Sequence, residues 1–118
     1  MTKEEIKKLD ELYQVVILSK YDNNSIISGE ATLVHHFKHK SQGFSLRWYI
    51  PNGVPLGAEQ HNIIHSSDER GREFEAYIIN IKGGEWLKDL TSQGNKIVKY
   101  LKYEEVLKHI SGIEPNYC

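Results

Sequence analysis

Apolar positions change period along this chain, and each change marks a predicted element. Ile6, Leu9, Tyr13 and Val16 recur every three or four residues, the spacing of one helix face. Thr2 and Glu5 stand in the S/T-x-x-E relation, in which each side chain bonds the other's backbone N–H and starts a helix. The apolar run at 15–18 is rich in β-branched residues, which also favour strands. Residues 14–20 are therefore compatible with either helix or strand. "YDNNS" at 21–25 reads as a turn, because Asn and Asp bond their own backbone and tolerate left-handed conformations.

From 26 to 50 the period is two. Ala31, Leu33, His35, Phe37 and His39 alternate with Thr32, Val34, His36 and Lys38; after "KSQG", Phe44, Leu46, Trp48 and Ile50 alternate with Ser45, Arg47 and Tyr49. Two alternating runs across a short polar turn predict a β-hairpin. A turn centred on Ser41 and Gln42 sets Phe37 against Leu46 and His35 against Trp48 on an apolar face. His36 then meets Arg47 and Lys38 meets Ser45 on a solvated one. "PNGVPLG" at 51–57 reads as a rigid loop, with further strands at 60–65 and 74–82. Gly83-Gly84 breaks the chain before a short helix at 85–93, and 96–101 suits a fifth strand. Tyr103, Val106, Leu107 and Ile110 share the face of a last helix, with Gly112 at its C-cap. The predicted fold is α+β, a single domain over 1–118. Its antiparallel sheet has four to five strands, with an N-terminal and a C-terminal helix packed on one face.

Composition narrows function mainly by exclusion. The 118 residues suit one domain. The formal net charge of -1 argues against a protein that chiefly grips nucleic-acid backbone, since such domains are usually strongly basic. With Cys118 as the one cysteine, no intrachain disulfide is available, which suits a reducing compartment. No apolar run approaches the roughly 18 residues of a membrane helix, and "MTKEEIKKLDE" lacks a signal-type apolar stretch. The expected location is cytoplasmic, away from membranes.

Six histidines raise the question of a metal. On a strand, His35 and His39 are about 13 Å apart, too far to share an ion, and His36 points the other way. "HNIIH" at 61–65 has H-x-x-x-H spacing, but Asn62 stands where a metalloprotease carries its glutamate, and the segment reads better as strand. A site would have to form between elements, His35 with His61 or His65. The expectation is no metal and no cofactor, with His35 a hydrogen-bonded core residue.

Between Glu30 and Glu59 there is no acidic residue, while Lys38, Lys40, Arg47, three histidines and four aromatic residues fall in that window. The predicted hairpin face of His36, Lys38, Lys40, Arg47 and Tyr49 is thus the candidate partner-binding surface. Basic and aromatic sheet faces bind single strands, and arginine with aromatics is favoured at protein interfaces. A plain solvated face, with Glu73 and Glu75 pairing these cations, needs no function at all. Nucleotide-binding, P-loop and nucleophile-elbow motifs are absent. Glu85 opposes an anion site at Gly83-Gly84, and alternating Glu73 and Glu75 suit solubility better than catalysis. In size, charge and lack of catalytic motifs the chain is similar to small proteins that act by binding, such as immunity proteins and phage-encoded inhibitors. It is accordingly expected to be a protein-binding inhibitor, immunity-type or adaptor module with a protein partner, an acidic one by charge. The alternatives are a weak single-stranded nucleic-acid binder, and a ligand-binding protein or enzyme with histidines in a sheet-lined pocket. An unpaired sheet edge also allows a homodimer.

Overall fold

The computed structural model describes residues 1–39, 44–66, 68–96 and 101–112. Helix α1 (Lys3–Lys20) is followed by strands β1 (Leu33–His36) and β2 (Gly53–Leu56), then by helices α2 (Ala58–His65), α3 (Glu69–Lys82), α4 (Gly84–Gly94) and α5 (Tyr103–Ile110). The capping box opens α1: Thr2 N donates to Glu5 Oε1 at 2.8 Å and Glu5 N to Thr2 Oγ1 at 3.1 Å. The ambiguous run at 14–20 is helical, because Leu9, Tyr13 and Ile17 bury one face of α1 together, and that shared burial outweighs β-branched propensity. The chain then turns through Asp22 and Asn23, both in the left-handed region at φ 53° and 59°. Short polar side chains accept that conformation at the lowest cost after glycine.

The predicted four- to five-stranded sheet does not form. Among the described residues the sheet has two strands, β1 antiparallel to β2, with Leu33 opposite Leu56, Val34 opposite Pro55, His35 opposite Val54 and His36 opposite Gly53. The partner of β1 is thus the segment expected to be a loop, while 44–50 carries a 3-10 turn at Phe44–Leu46 and leads into another at Ile50–Asn52. The cause is visible at Asn52, which is fully buried. Its Oδ1 accepts from Lys38 N at 2.9 Å, and its Nδ2 donates to Lys38 O at 2.9 Å and to Leu46 O at 3.3 Å. One side chain therefore satisfies backbone groups that a second hairpin strand would have paired.

The segments read as strands at 60–65 and 74–82 are helical. Phe74, Ile78 and Ile81 also fit a helical spacing, and Asp68 caps α3 by accepting from Gly71 N at 3.0 Å. Glu73 and Glu75 consequently diverge around a helix instead of sharing a strand face. Most of the expected fifth strand, residues 97–100, lies outside the described residues. The expected helices at 85–93 and 103–112 form as α4 and α5, and α5 packs on α1. Buried side chains fall into two clusters. One joins α1, α4, α5 and the turns around Leu46, Trp48 and Tyr49; the other joins Val54 and Leu56 of β2 to Ile64 of α2 and Ile78 of α3. Phe37 and Trp86, with ring centroids 4.8 Å apart, pack against both.

The two clusters meet where β2 crosses α1. A Cβ on Gly53 would lie 2.8 Å from Ile17 Cδ1 and from Tyr13 Oη, inside contact distance. Gly53→Ala is expected to destabilise the fold by about 1–3 kcal/mol in urea unfolding. Gly84→Ala, where nothing lies within 4 Å, should shift the same curve by no more than about 0.5 kcal/mol.

Candidate metal centre

Helix α2 is fastened at its first turn by Gln60. The Gln60 Oε1 accepts from Gly57 N at 2.9 Å and from Ser25 Oγ at 2.5 Å, and its Nε2 donates to Ser28 O at 2.8 Å. The next residue is His61, and His65 follows one turn later on the same face. Ile64, 7% exposed, anchors the helix in the second cluster. Helix α3 packs close behind because residue 71 is glycine: a Cβ there would lie 2.5 Å from Ser66 O. Strand β1 supplies His35, itself only 7% exposed, opposite Val54.

These elements bring three imidazoles together. Ring centroids are 5.3 Å apart for His35 and His61, 5.2 Å for His35 and His65, and 4.4 Å for His61 and His65. The Nε2 atoms of His61 and His65 are 3.0 Å apart, and one ligand nitrogen from each of the three lies within 4.8 Å of the others. Tetrahedral zinc with Zn–N bonds of about 2.0–2.1 Å needs ligand nitrogens roughly 3.3 Å apart. The helical pair already has that spacing to within a few tenths of an ångström, and His35 needs to close by about 1.5 Å at most.

The sequence-based expectation for His35 was a hydrogen-bonded core residue. It is buried, yet among the described residues its ring makes no hydrogen bond, and its ring neighbours are His61 and His65. Burial, and then the charge that would face it on His61 and His65, hold the His35 imidazolium well below its ordinary range, at about 3. Burial and His65 likewise lower His61. The site therefore presents neutral imidazole, the form that binds a metal. No fourth histidine, cysteine or carboxylate joins the group among the described residues. Three protein ligands with one position open is the arrangement of exchangeable and catalytic zinc sites, not of closed structural ones.

Among the described residues the predicted hairpin does not form; of the predicted partner-binding residues the structure brings His36 and Arg47 together and buries Tyr49. His36 stacks on Tyr13 with centroids 5.3 Å apart, and its Nε2 lies 2.8 Å from Arg47 O. Arg47 forms a two-pronged pair with Asp10, at 2.8 and 3.2 Å, and lies over the Trp48 ring. Tyr49 is 3% exposed and its hydroxyl donates to Asp89 at 2.6 Å. Burial and that carboxylate push the phenol above its usual range. Lys38 is half-buried, and Lys40 lies outside the described residues. The metal trio was missed because "HNIIH" was read as a strand. Ala-Glu-Gln directly after Gly57 is a helix start, and it is the signal that would have put His61 and His65 on one face.

Comparisons with protein-family models, with curated proteins and with solved structures find no match. Among the described residues, no helix is long and apolar enough to cross a membrane.

The trio makes the metal-free protein sensitive to acid. In the unfolded chain His35 titrates near 6.5, whereas folded it titrates near 3. Between these values the unfolded state binds the extra proton, so stability is complete above pH 6.5 and falls as pH drops. In urea unfolding with a chelator present, His35 alone should account for a loss on the order of 2 kcal/mol between pH 6.5 and pH 5. His35→Phe should flatten that slope.

Proposed function

We propose that this chain is a metal-binding domain that holds one transition-metal cation through His35, His61 and His65, with zinc the best fit. The carrying observation is the convergence of three imidazoles, two of which, His35 and His61, burial disfavours as cations. Nitrogen donors with no carboxylate among them favour zinc and its neighbours over calcium or magnesium. The open position lets the ion bind an exogenous ligand, so the domain acts on a small molecule at the metal. This reading belongs to the third expected class, a ligand-binding protein or enzyme with clustered histidines. The binding-module reading draws less support, because Arg47 and Tyr49 already direct their polar groups to Asp10 and Asp89.

Titration of the chelator-treated protein with Co²⁺ tests the proposal. One equivalent should bind and produce the visible absorption of a low-symmetry, four- or five-coordinate ion, and Zn²⁺ should displace it. His35→Ala, His61→Ala and His65→Ala should each weaken binding by roughly 100-fold or more, beyond what loss of an outer-shell partner does. His39→Ala, exposed and outside the trio, should leave it unchanged. An unchanged affinity in all three ligand variants rules the site out.

A further inference from the structure

His65 belongs to two features at once. It is a member of the trio, and it also borders a polar groove of about 320 Å³ with Ile64, Ser66, Gly71, Arg72 and Glu75. The groove follows from the tight turn between α2 and α3, where Gly71 permits the close approach and Arg72 and Glu75 stand one turn apart on the exposed side of α3. Among the described residues the Arg72 guanidinium makes no ion pair and no hydrogen bond, and Glu75 in particular does not engage it. A planar fork of donors is therefore free in a groove that shares His65 with the trio.

We propose that this groove seats the ligand that completes the metal's coordination, and that the ligand is an oxyanion that keeps a proton at neutral pH, as hydrogen phosphate does. The inference rests on the metal reading above. The metal takes one oxygen, and Arg72 takes one or two more in the bidentate geometry that guanidinium offers to phosphate. Glu75 sets the selectivity. A carboxylate on the groove wall repels a bare anion but accepts a hydrogen bond from one that still carries a proton. Hydrogen phosphate has such a proton at neutral pH, whereas a simple carboxylate, or a monoester above its second pKa of about 6, does not.

The test uses the Co²⁺-loaded chain with inorganic phosphate and with acetate as probes, following the visible spectrum and checking metal retention by dialysis. Phosphate should shift the absorption bands saturably with the ion retained, and acetate should need at least tenfold higher concentration. Arg72→Ala should bind Co²⁺ as the wild type does and require at least tenfold more phosphate. Glu75→Gln should narrow the gap between phosphate and acetate. A spectrum untouched by phosphate, an Arg72→Ala response equal to wild type, or equal response to acetate overturns the groove assignment while the metal site stands. Failure of Co²⁺ to bind at all overturns both, so the two failures are told apart by the first titration.

Discussion

The carboxamide of Asn52 bonds both main-chain groups of Lys38 and the carbonyl of Leu46, and the path of the middle of the chain depends on it. With those groups satisfied, β1 stops at His36 and the chain after it turns inward. Leu46, Trp48 and Tyr49 then enter the main core from turns instead of from a strand. The edge of β1 is left for β2, whose Gly53 lies hard against Ile17 and Tyr13 of α1. A buried amide with all three bonds made is a strong specifier, since each group left unpaired in that position costs about 1–3 kcal/mol. The register it fixes puts His35 opposite Val54, the position from which it meets α2.

Electrostatics then decides what three imidazoles in contact can be. Protonating any one places a cation beside its neighbours in a half-dry site, and His35 feels this most because it is the most buried. For His35 and His61, neutrality is thus favoured by packing. Between His61 and His65, 3.0 Å apart at Nε2, one neutral ring donates and the other accepts, so each satisfies the other. His35 has no such arrangement. The His35 ring makes no hydrogen bond among the described residues, and a cation supplies the partner that the protein does not.

The sequence revealed those parts of the fold in which local signals and tertiary burial agree. Thr2 and Glu5, the period of Ile6, Leu9 and Tyr13, the glycines at 83 and 84, and the amphipathic run from Tyr103 marked the start of α1 and the bounds of α4 and α5 within a residue or two, while the end of α1 stayed open over 14–20. Errors arose where a period of two was fulfilled by something other than a strand. Leu46 and Trp48 alternate correctly and are buried as expected, but from turns held by Asn52, a long-range contact that no local pattern reports. Eight-residue segments such as Ala58–His65 are short enough for apolar runs to fit either period. At the site, the pairing of His35 with His61 or His65 was conceivable from sequence as a cross-strand contact. The geometry that makes it a ligand set, a helical i, i+4 pair facing a strand, was not.

The trio also adds a direct link between parts of the fold that the second cluster already packs together. His35 is carried by the β1–β2 pair on α1, whereas His61 and His65 are carried by the α2–α3 pair, which reaches the core through Ile64 and Ile78. An ion held by all three ties these pairs directly, so its binding free energy adds to the stability of their packing. The electrostatic state of the metal-free site makes this coupling efficient. Because burial disfavours the charged forms of His35 and His61, an ion displaces no proton from those two rings at pH 7. It requires only that the donor of the His61–His65 hydrogen bond move its proton from Nε2 to Nδ1, a change of tautomer with no net release. Metal affinity in such a site is governed by the distance His35 must close and by the exchange of one hydrogen bond for three coordinate bonds. Both are properties of how β1 is placed against α2, and so of the backbone path that Asn52 sets.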